Sequence, residues 1–202
     1  MRTKRRLQAA ALTAFAVVLG LFTVQGSYAL WSAAASASPG SITSASFDTT
    51  MTAVNTGQTT TMTLSNGTAA TLTLSPAGTL GPGTSVYGGV VVTNNTNAGG
   101  QFNTAITAGQ PTIANVSGGT LASYVRVNAK TASSSTECST AIGFAPISSA
   151  GLVSPTVAKG ASTVFCFQIS LDSSAPASVK GQAVNISLLL TARQLCGVPS
   201  GC

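Results

Sequence analysis

Between Val164 and Leu171 every second residue is large and apolar: Phe165, Phe167, Ile169 and Leu171 share one parity. A period of two gathers these side chains on one face of an extended strand, and no helix can do so. The pattern recurs in Ala183–Ala192, where Val184, Ile186, Leu188 and Leu190 alternate with Asn185, Ser187 and Thr191. In Leu121–Lys130 it sets Leu121, Val125 and Val127 against Tyr124, Arg126, Asn128 and Lys130. Shorter stretches place Met62 and Leu64 between Thr61 and Thr63, and Leu72 and Leu74 between Thr71 and Thr73. Turn signals separate them: Ser65-Asn66-Gly67-Thr68 reads as a hairpin, and Gly81-Pro82-Gly83, Asn94-Asn95-Thr96-Asn97 and Gly99-Gly100 as further turns. Residues 30–202 contain no convincing amphipathic helix. The expected fold is all-β, an antiparallel two-sheet sandwich with Ig-like or jelly-roll connections and about eight to ten strands.

The outward faces of these strands carry Thr, Ser and Asn in place of charge. Only 6% of residues are charged, with nine Lys plus Arg, three Asp plus Glu and no His. That excludes a Ser-His-Asp triad, a Cys-His pair and any His metal ligand, and it leaves little for acid/base work. No enzyme activity, cofactor or metal is expected. It also leaves edge strands with few charged gatekeepers, so strand-to-strand association is physically open to the chain.

The formal charge of +6 looks like a nucleic-acid signal until its distribution is read. Arg2, Lys4, Arg5 and Arg6 cluster at the start, while Arg126, Lys130, Lys159, Lys180 and Arg193 are scattered. An apolar run of 16 residues, Leu7 to Phe22, follows the basic cluster. Then comes Ser27-Tyr28-Ala29, a small-x-small site. Basic start, short apolar run and small-residue site together describe a secretory signal peptide over 1–29, an apolar helix cut between Ala29 and Leu30. The run is shorter than the roughly 20 residues of a spanning helix, so an uncleaved anchor is the lesser reading. Ala33–Ala37 offers alternative cleavage bonds. Arg5-Arg6 is a weak twin-arginine hint that the following residues do not support, and no Cys stands where a lipoprotein needs one. After cleavage the net charge is +2, so the basicity belongs to the export signal. The expected location is secreted, extracellular or cell-surface, with signal peptidase as a partner, no nucleic acid, and membrane contact only through the uncleaved signal.

All four cysteines, Cys138, Cys166, Cys196 and Cys202, lie in the exported part. An even number in an oxidising compartment suggests two disulfides, with three possible connectivities. Cys138–Cys166 with Cys196–Cys202 gives the shortest loops, worth roughly 3.6 and 2.4 kcal/mol by loop closure. Cys166 has the parity opposite to Phe165 and Phe167, so its bridge should brace an outer face or an edge. No pair of cysteines has the close spacing of a four-cysteine zinc site.

Four segments resemble the TasA/camelysin family. Gly26-Ser27-Tyr28-Ala29-Leu30-Trp31-Ser32, followed by Gly40-Ser41-Ile42-Thr43-Ser44-Ala45-Ser46-Phe47-Asp48, is similar to that family's SipW-dependent signal junction and first strand. Leu80-Gly81-Pro82-Gly83-Thr84 leading into Val90-Val91-Val92-Thr93-Asn94 resembles its Pro-Gly turn and following strand. Gly160-Ala161-Ser162-Thr163 before Phe165-Cys166-Phe167, and Ala175-Pro176 with Gly181-Gln182 before Thr191-Ala192-Arg193-Gln194, resemble a disulfide-bearing actinobacterial branch. A departure is Ala45-Ser46, where the pattern has Gly. The resemblance implies a matrix or surface protein that polymerises by lending an N-terminal strand to the next subunit. The matching segment is 30–47, with Trp31, Ile42 and Phe47 as apolar anchors and 48–202 as the sandwich domain. Its competitor is a segment that folds back as the domain's own first strand. The protease activity ascribed to camelysin relatives is disfavoured, because without His there is no His-Glu-x-x-His helix.

Other features are weaker. Asn66, Asn94, Asn115 and Asn185 each begin an Asn-x-Ser/Thr triplet, as chance provides in a chain this rich in Ser and Thr. Glu137 is a loop charge, Ser133-Ser134-Ser135 a flexible loop, and Tyr87 and Tyr124 packing residues before they are sugar platforms. The tail from Cys196 to Cys202 pins the last strand. The functional expectation is a secreted structural protein whose partner is itself or another surface protein. The alternative is a monomeric secreted binding module, such as an adhesin or a carbohydrate- or protein-binding sandwich.

Overall fold

Two ten-residue strands, β3 (Ser85–Asn94) and β9 (Ser162–Leu171), pair antiparallel at the centre of the molecule. Around them the computed structural model, which describes residues 46–62, 69–74, 78–97, 100 and 102–195, places β1 (Thr49–Ala53), β2 (Thr59–Thr61), β6 (Val125–Ala132) and β7 (Ala145–Pro146). These six form one sheet in the order β2-β1-β3-β9-β6-β7. The remaining strands are β4 (Thr104–Ala108), β5 (Thr112–Asn115), β8 (Leu152–Val153), β10 (Val184–Ser187) and β11 (Leu190–Gln194). They pair as β11-β4-β8 and β10-β5. Every strand pair in these sheets is antiparallel. Among the described residues there is no α-helix, so the all-β antiparallel expectation holds. They all belong to the compact unit Ser44–Cys202.

The parity read from the sequence is the parity of the core. Met51, Val90, Val92, Ala129, Phe165 and Phe167 project from the large sheet onto Ile106 and Ala108 of β4, and Leu188, Leu190 and Ala192 pack against them. A second cluster joins Leu121, Val125, Leu171 and Val179 to Ile113, Val184 and Ile186. Burying each such side chain stabilises the fold by about 1.5–3 kcal/mol.

Two segments expected as single strands are built differently. Leu121–Ser123 is a 3-10 turn closed by Tyr124 N–H donating to the Leu121 carbonyl at 2.9 Å, and the strand begins only at Val125. Leu121 still points inward, because the turn restores it to the parity of Val125 in the second cluster. Ala183–Ala192 is interrupted at Leu188-Leu189. There two residues oppose three, Gly109-Gln110-Pro111, between the pairs Ser187↔Thr112 and Leu190↔Ala108. Pro111 has no N–H for the ladder, and the extra residue makes a bulge held by Gly109 N–H on the Leu189 carbonyl at 2.8 Å.

Cys138 and Cys166 form a disulfide, 28 residues apart. Cys166 does face away from the main core, but that face is not bare. A cap runs from Ser133 to Phe144 and covers it. Cys138, Val164 and Cys166 are buried there with Val54, Val91, Ala132 and Phe144 packed around them. The Ser133-Ser134-Ser135 run is the N-cap of this segment and not a loose loop: Glu137 Oε1 accepts from Ser133 N–H at 3.1 Å and Ser134 N–H at 3.0 Å. Lys130 Nζ lies 4.6 Å from the Phe144 ring centre and donates to Thr140 and Ile142. Beneath Cys138 sits Gly89. A β-carbon there would come within 2.7 Å of Cys138 Sγ and 3.1 Å of the Phe165 carbonyl. Gly89→Ala is therefore expected to destabilise by about 1–3 kcal/mol through overpacking, with loss of protection of the cap amides in hydrogen exchange.

The signal segment 1–29, with Ser27, Ala29 and Leu30, lies outside the described residues, as do Trp31, Ile42, the hairpin Ser65–Thr68, Cys196 and Cys202.

Candidate functional site

A sheet edge is a row of unpaired N–H and C=O groups, and its length and residues decide whether another chain can pair there. β7 is two residues long and contains Pro146, which cannot donate. β2 has three residues and β8 two. The edge formed by β10 and β11 is of another kind. It runs from Val184 to Gln194 without a proline, and Arg193 is its only charge. β5 and β4 occupy one side of it.

On its other side lies a cleft of about 780 Å³. One wall is Val184 to Leu190 and the other Ala69 to Leu74, each bordering the cleft with every consecutive residue. In-facing and out-facing residues line it alike, as happens along a backbone edge and not on a sheet face. The floor is the inner face of the large sheet, with Met51, Val86, Val90, Val127, Phe167 and Ile169. No charged residue lines it. Ala69–Leu74 alternates in burial, with Ala70, Leu72 and Leu74 packed against the core. Yet among the described residues no backbone hydrogen bond joins Thr71–Leu74 to a partner. At the start of this segment Ala70 N–H donates to the Met62 carbonyl at 3.0 Å. Two extended segments thus flank an apolar floor.

The chain enters this unit at a defined angle. The β1–β3 pairing runs Thr49↔Asn94 through Ala53↔Val90. It continues outward in the same register: Asn95 N–H donates to the Asp48 carbonyl at 2.9 Å and Asn97 N–H to the Ser46 carbonyl at 3.3 Å. Ser46 N–H in turn donates to Asn97 Oδ1 at 2.7 Å. The Asn94–Asn97 stretch, expected as a turn, thus holds the incoming strand. Of the three expected anchors only Phe47 is described, and it is 47% exposed in this ladder. Its neighbours Ser46 and Asp48 are paired through their backbone to Asn97 and Asn95.

The remaining candidates have structural roles. Tyr87 packs at 5.7 Å on Phe144 and accepts from Gln168 Nε2 at 3.3 Å. Tyr124 packs against the second core cluster. Glu137 is the cap residue described above. Asp172 is held below its ordinary value by the Ser174 backbone N–H at 2.9 Å and then by the Ser174 hydroxyl at 2.7 Å. Its depressed value means that its contribution to stability is present above the unfolded carboxylate range and is lost as pH falls through the folded value. With no His and three acidic residues, urea midpoints are expected to coincide between about pH 5 and pH 8 and to fall only in stronger acid.

Among the described residues no group of three or more His, Cys, Asp or Glu could hold a metal ion. Among the same residues no helix is long and apolar enough to cross a membrane. No family model, curated protein or solved structure matches the chain.

Proposed function

We propose that the chain is an exported structural protein of the cell surface or extracellular matrix that assembles with copies of itself by strand addition. In this reading residues 1–29 are removed on export, and the freed segment that follows Ala29 enters the cleft of another copy. The large sheet is one layer of a sandwich. β10/β11, β5/β4 and β8 are the other, with the cleft as the place of a missing strand. The observation that supports the proposal is the proline-free β10/β11 edge that borders, with Ala69–Leu74, a cleft over an apolar floor. Scarcity of charge supports it, since little repulsion holds copies apart.

Protein beginning at Leu30 is expected to form filaments in negative-stain microscopy. Removal of residues 30–45, leaving the Ser46 ladder intact, is expected to give monomers on size exclusion with the same thermal midpoint. Filaments that persist in the truncated protein would sink strand donation. An exported binding module is the competing reading, supported by a cleft within the roughly 300–1,000 Å³ of ligand sites. It requires monomers at every concentration.

A further inference from the structure

We infer that the outer face of the large sheet carries a binding site for a neutral saccharide. Tyr87, Gln168 and Asn128 form one row of it, and Ser85, Ser170 and Arg126 the next. The site lies on the side of the sheet opposite the cleft, whose floor is Val86, Val127, Phe167 and Ile169. It therefore stands whether or not copies assemble. Strand pairing sets the six side chains in a grid. Tyr87 of β3, Gln168 of β9 and Asn128 of β6 are direct cross-strand partners, and so are Ser85, Ser170 and Arg126 two residues further along. Strands about 4.8 Å apart and a two-residue step of about 7 Å make a patch of roughly 10 Å by 7 Å, the scale of a sugar ring. The Ser133–Phe144 cap covers the neighbouring row, Gly89, Cys166 and Lys130, and ends against Tyr87. One side of the patch is thus walled.

The polar groups suit a ligand that both donates and accepts. Asn128 Nδ2 donates to Gln168 Oε1 at 3.1 Å, and Gln168 Nε2 to the Tyr87 hydroxyl at 3.3 Å. This chain aligns two amides and a phenol across three strands and uses only part of their capacity. Among the described residues, Asn128 Oδ1 and the hydroxyls of Ser85 and Ser170 have no hydrogen-bond partner. All six side chains are at least partly exposed. Sugar hydroxyls are donors and acceptors at once, as are side-chain amides. Tyr87 also borders a pocket of about 210 Å³ with Asn55, Gly88, Cys138 and Ser139. That is below the roughly 300–1,000 Å³ of drug-sized sites, and it suits one ring of a chain whose remainder lies along the open row. Tyrosine offers an apolar body with a polar tip, and a sugar ring presents both kinds of surface. Arg126 is the only charge in the grid. Its guanidinium donates to the Ser123 and Val125 carbonyls at 2.9 and 3.1 Å, and Asp172 lies close enough to feel its charge. The patch is thus close to neutral, which selects an uncharged saccharide over a uronic-acid polymer.

Affinity electrophoresis tests the site. Migration of the protein is compared in plain gels and in gels containing hydroxyethylcellulose, amylopectin or mannan, with polygalacturonate as the anionic arm. Retardation by a neutral polymer is expected, and none by polygalacturonate. Asn128→Ala and Gln168→Ala are each expected to weaken the binding roughly three- to tenfold. Thr93→Ala, at the other end of the same outer face where Thr93 meets Ser162, is expected to bind as the parent does. Thermal midpoints equal to the parent's verify the fold of each variant. In the parent itself, cellohexaose, maltohexaose or mannohexaose, chosen to match the retarding polymer, is expected to shift the side-chain amide resonances of Asn128 and Gln168. That measurement decides the matter even if a variant misfolds. Retardation that survives both alanine variants, with unshifted amides, would overturn the site. So would retardation by polygalacturonate equal to or above that by the neutral polymers, and so would free migration in every gel.

Discussion

Phe165→Ala is expected to destabilise the domain by about 3–5 kcal/mol. Phe165 is fully buried at the middle of β9, paired with Val90 on one side and Thr131 on the other. Its ring fills the space between the large sheet and β4, so truncation loses both transfer energy and the contacts around the cavity left behind. Against a total of about 5–15 kcal/mol for a typical domain, that is a third or more. Urea unfolding should show a lower midpoint with an unchanged slope. Ile142→Ala is the control: the residue is 83% exposed, and its loss should move the midpoint by no more than about 0.5 kcal/mol. Equal losses at the two positions would contradict the core assignment.

Replacing Cys138 and Cys166 together by Ala should cost about 3.6 kcal/mol, the loop-closure entropy for the 28-residue separation. The effect acts on the unfolded chain, so the native sheet should keep its β signature. Locally, the Ser133–Phe144 cap loses its covalent tie and keeps Lys130 and the Tyr87–Phe144 contact. Its amides should exchange faster than those of β9. Reduction of the parent protein should be slow under native conditions, because Cys138 is 4% exposed and Cys166 fully buried. A double variant as stable as the parent would show that the bridge adds nothing the packing does not already supply.

Which parts of this architecture can be read from residues alone follows from the range of the forces involved. The β9 strand was legible because Phe165, Phe167, Ile169 and Leu171 each report their own face. The interruption at Leu188-Leu189 was not, since Val184, Ile186, Leu188 and Leu190 keep their parity straight through it. Its cause, Pro111 and Gly109, lies in the partner strand. The side of the sheet taken by Cys166 was legible from parity, but its burial was not, because the cover comes from residues 133–144. The cleft was least legible. It is bounded by Ala69–Leu74 and Val184–Leu190, more than a hundred residues apart, and a gap between distant segments leaves no periodicity in a sequence. The Asn94–Asn97 stretch read as a turn because its residues favour turns. It serves instead as a ladder, since Ser46–Asp48 arrive in register to meet it.

That ladder bears on how a fibre of such units would carry load. Tension applied at Ser46 acts along the axis of β1, parallel to the strands and perpendicular to the hydrogen bonds that tie β1 to β2 and β3. The bonds are then strained together in shear and must fail together. A chain leaving at right angles would let them open one after another, like a zip. Loaded in this direction, the same few hydrogen bonds would share the pull and not meet it singly.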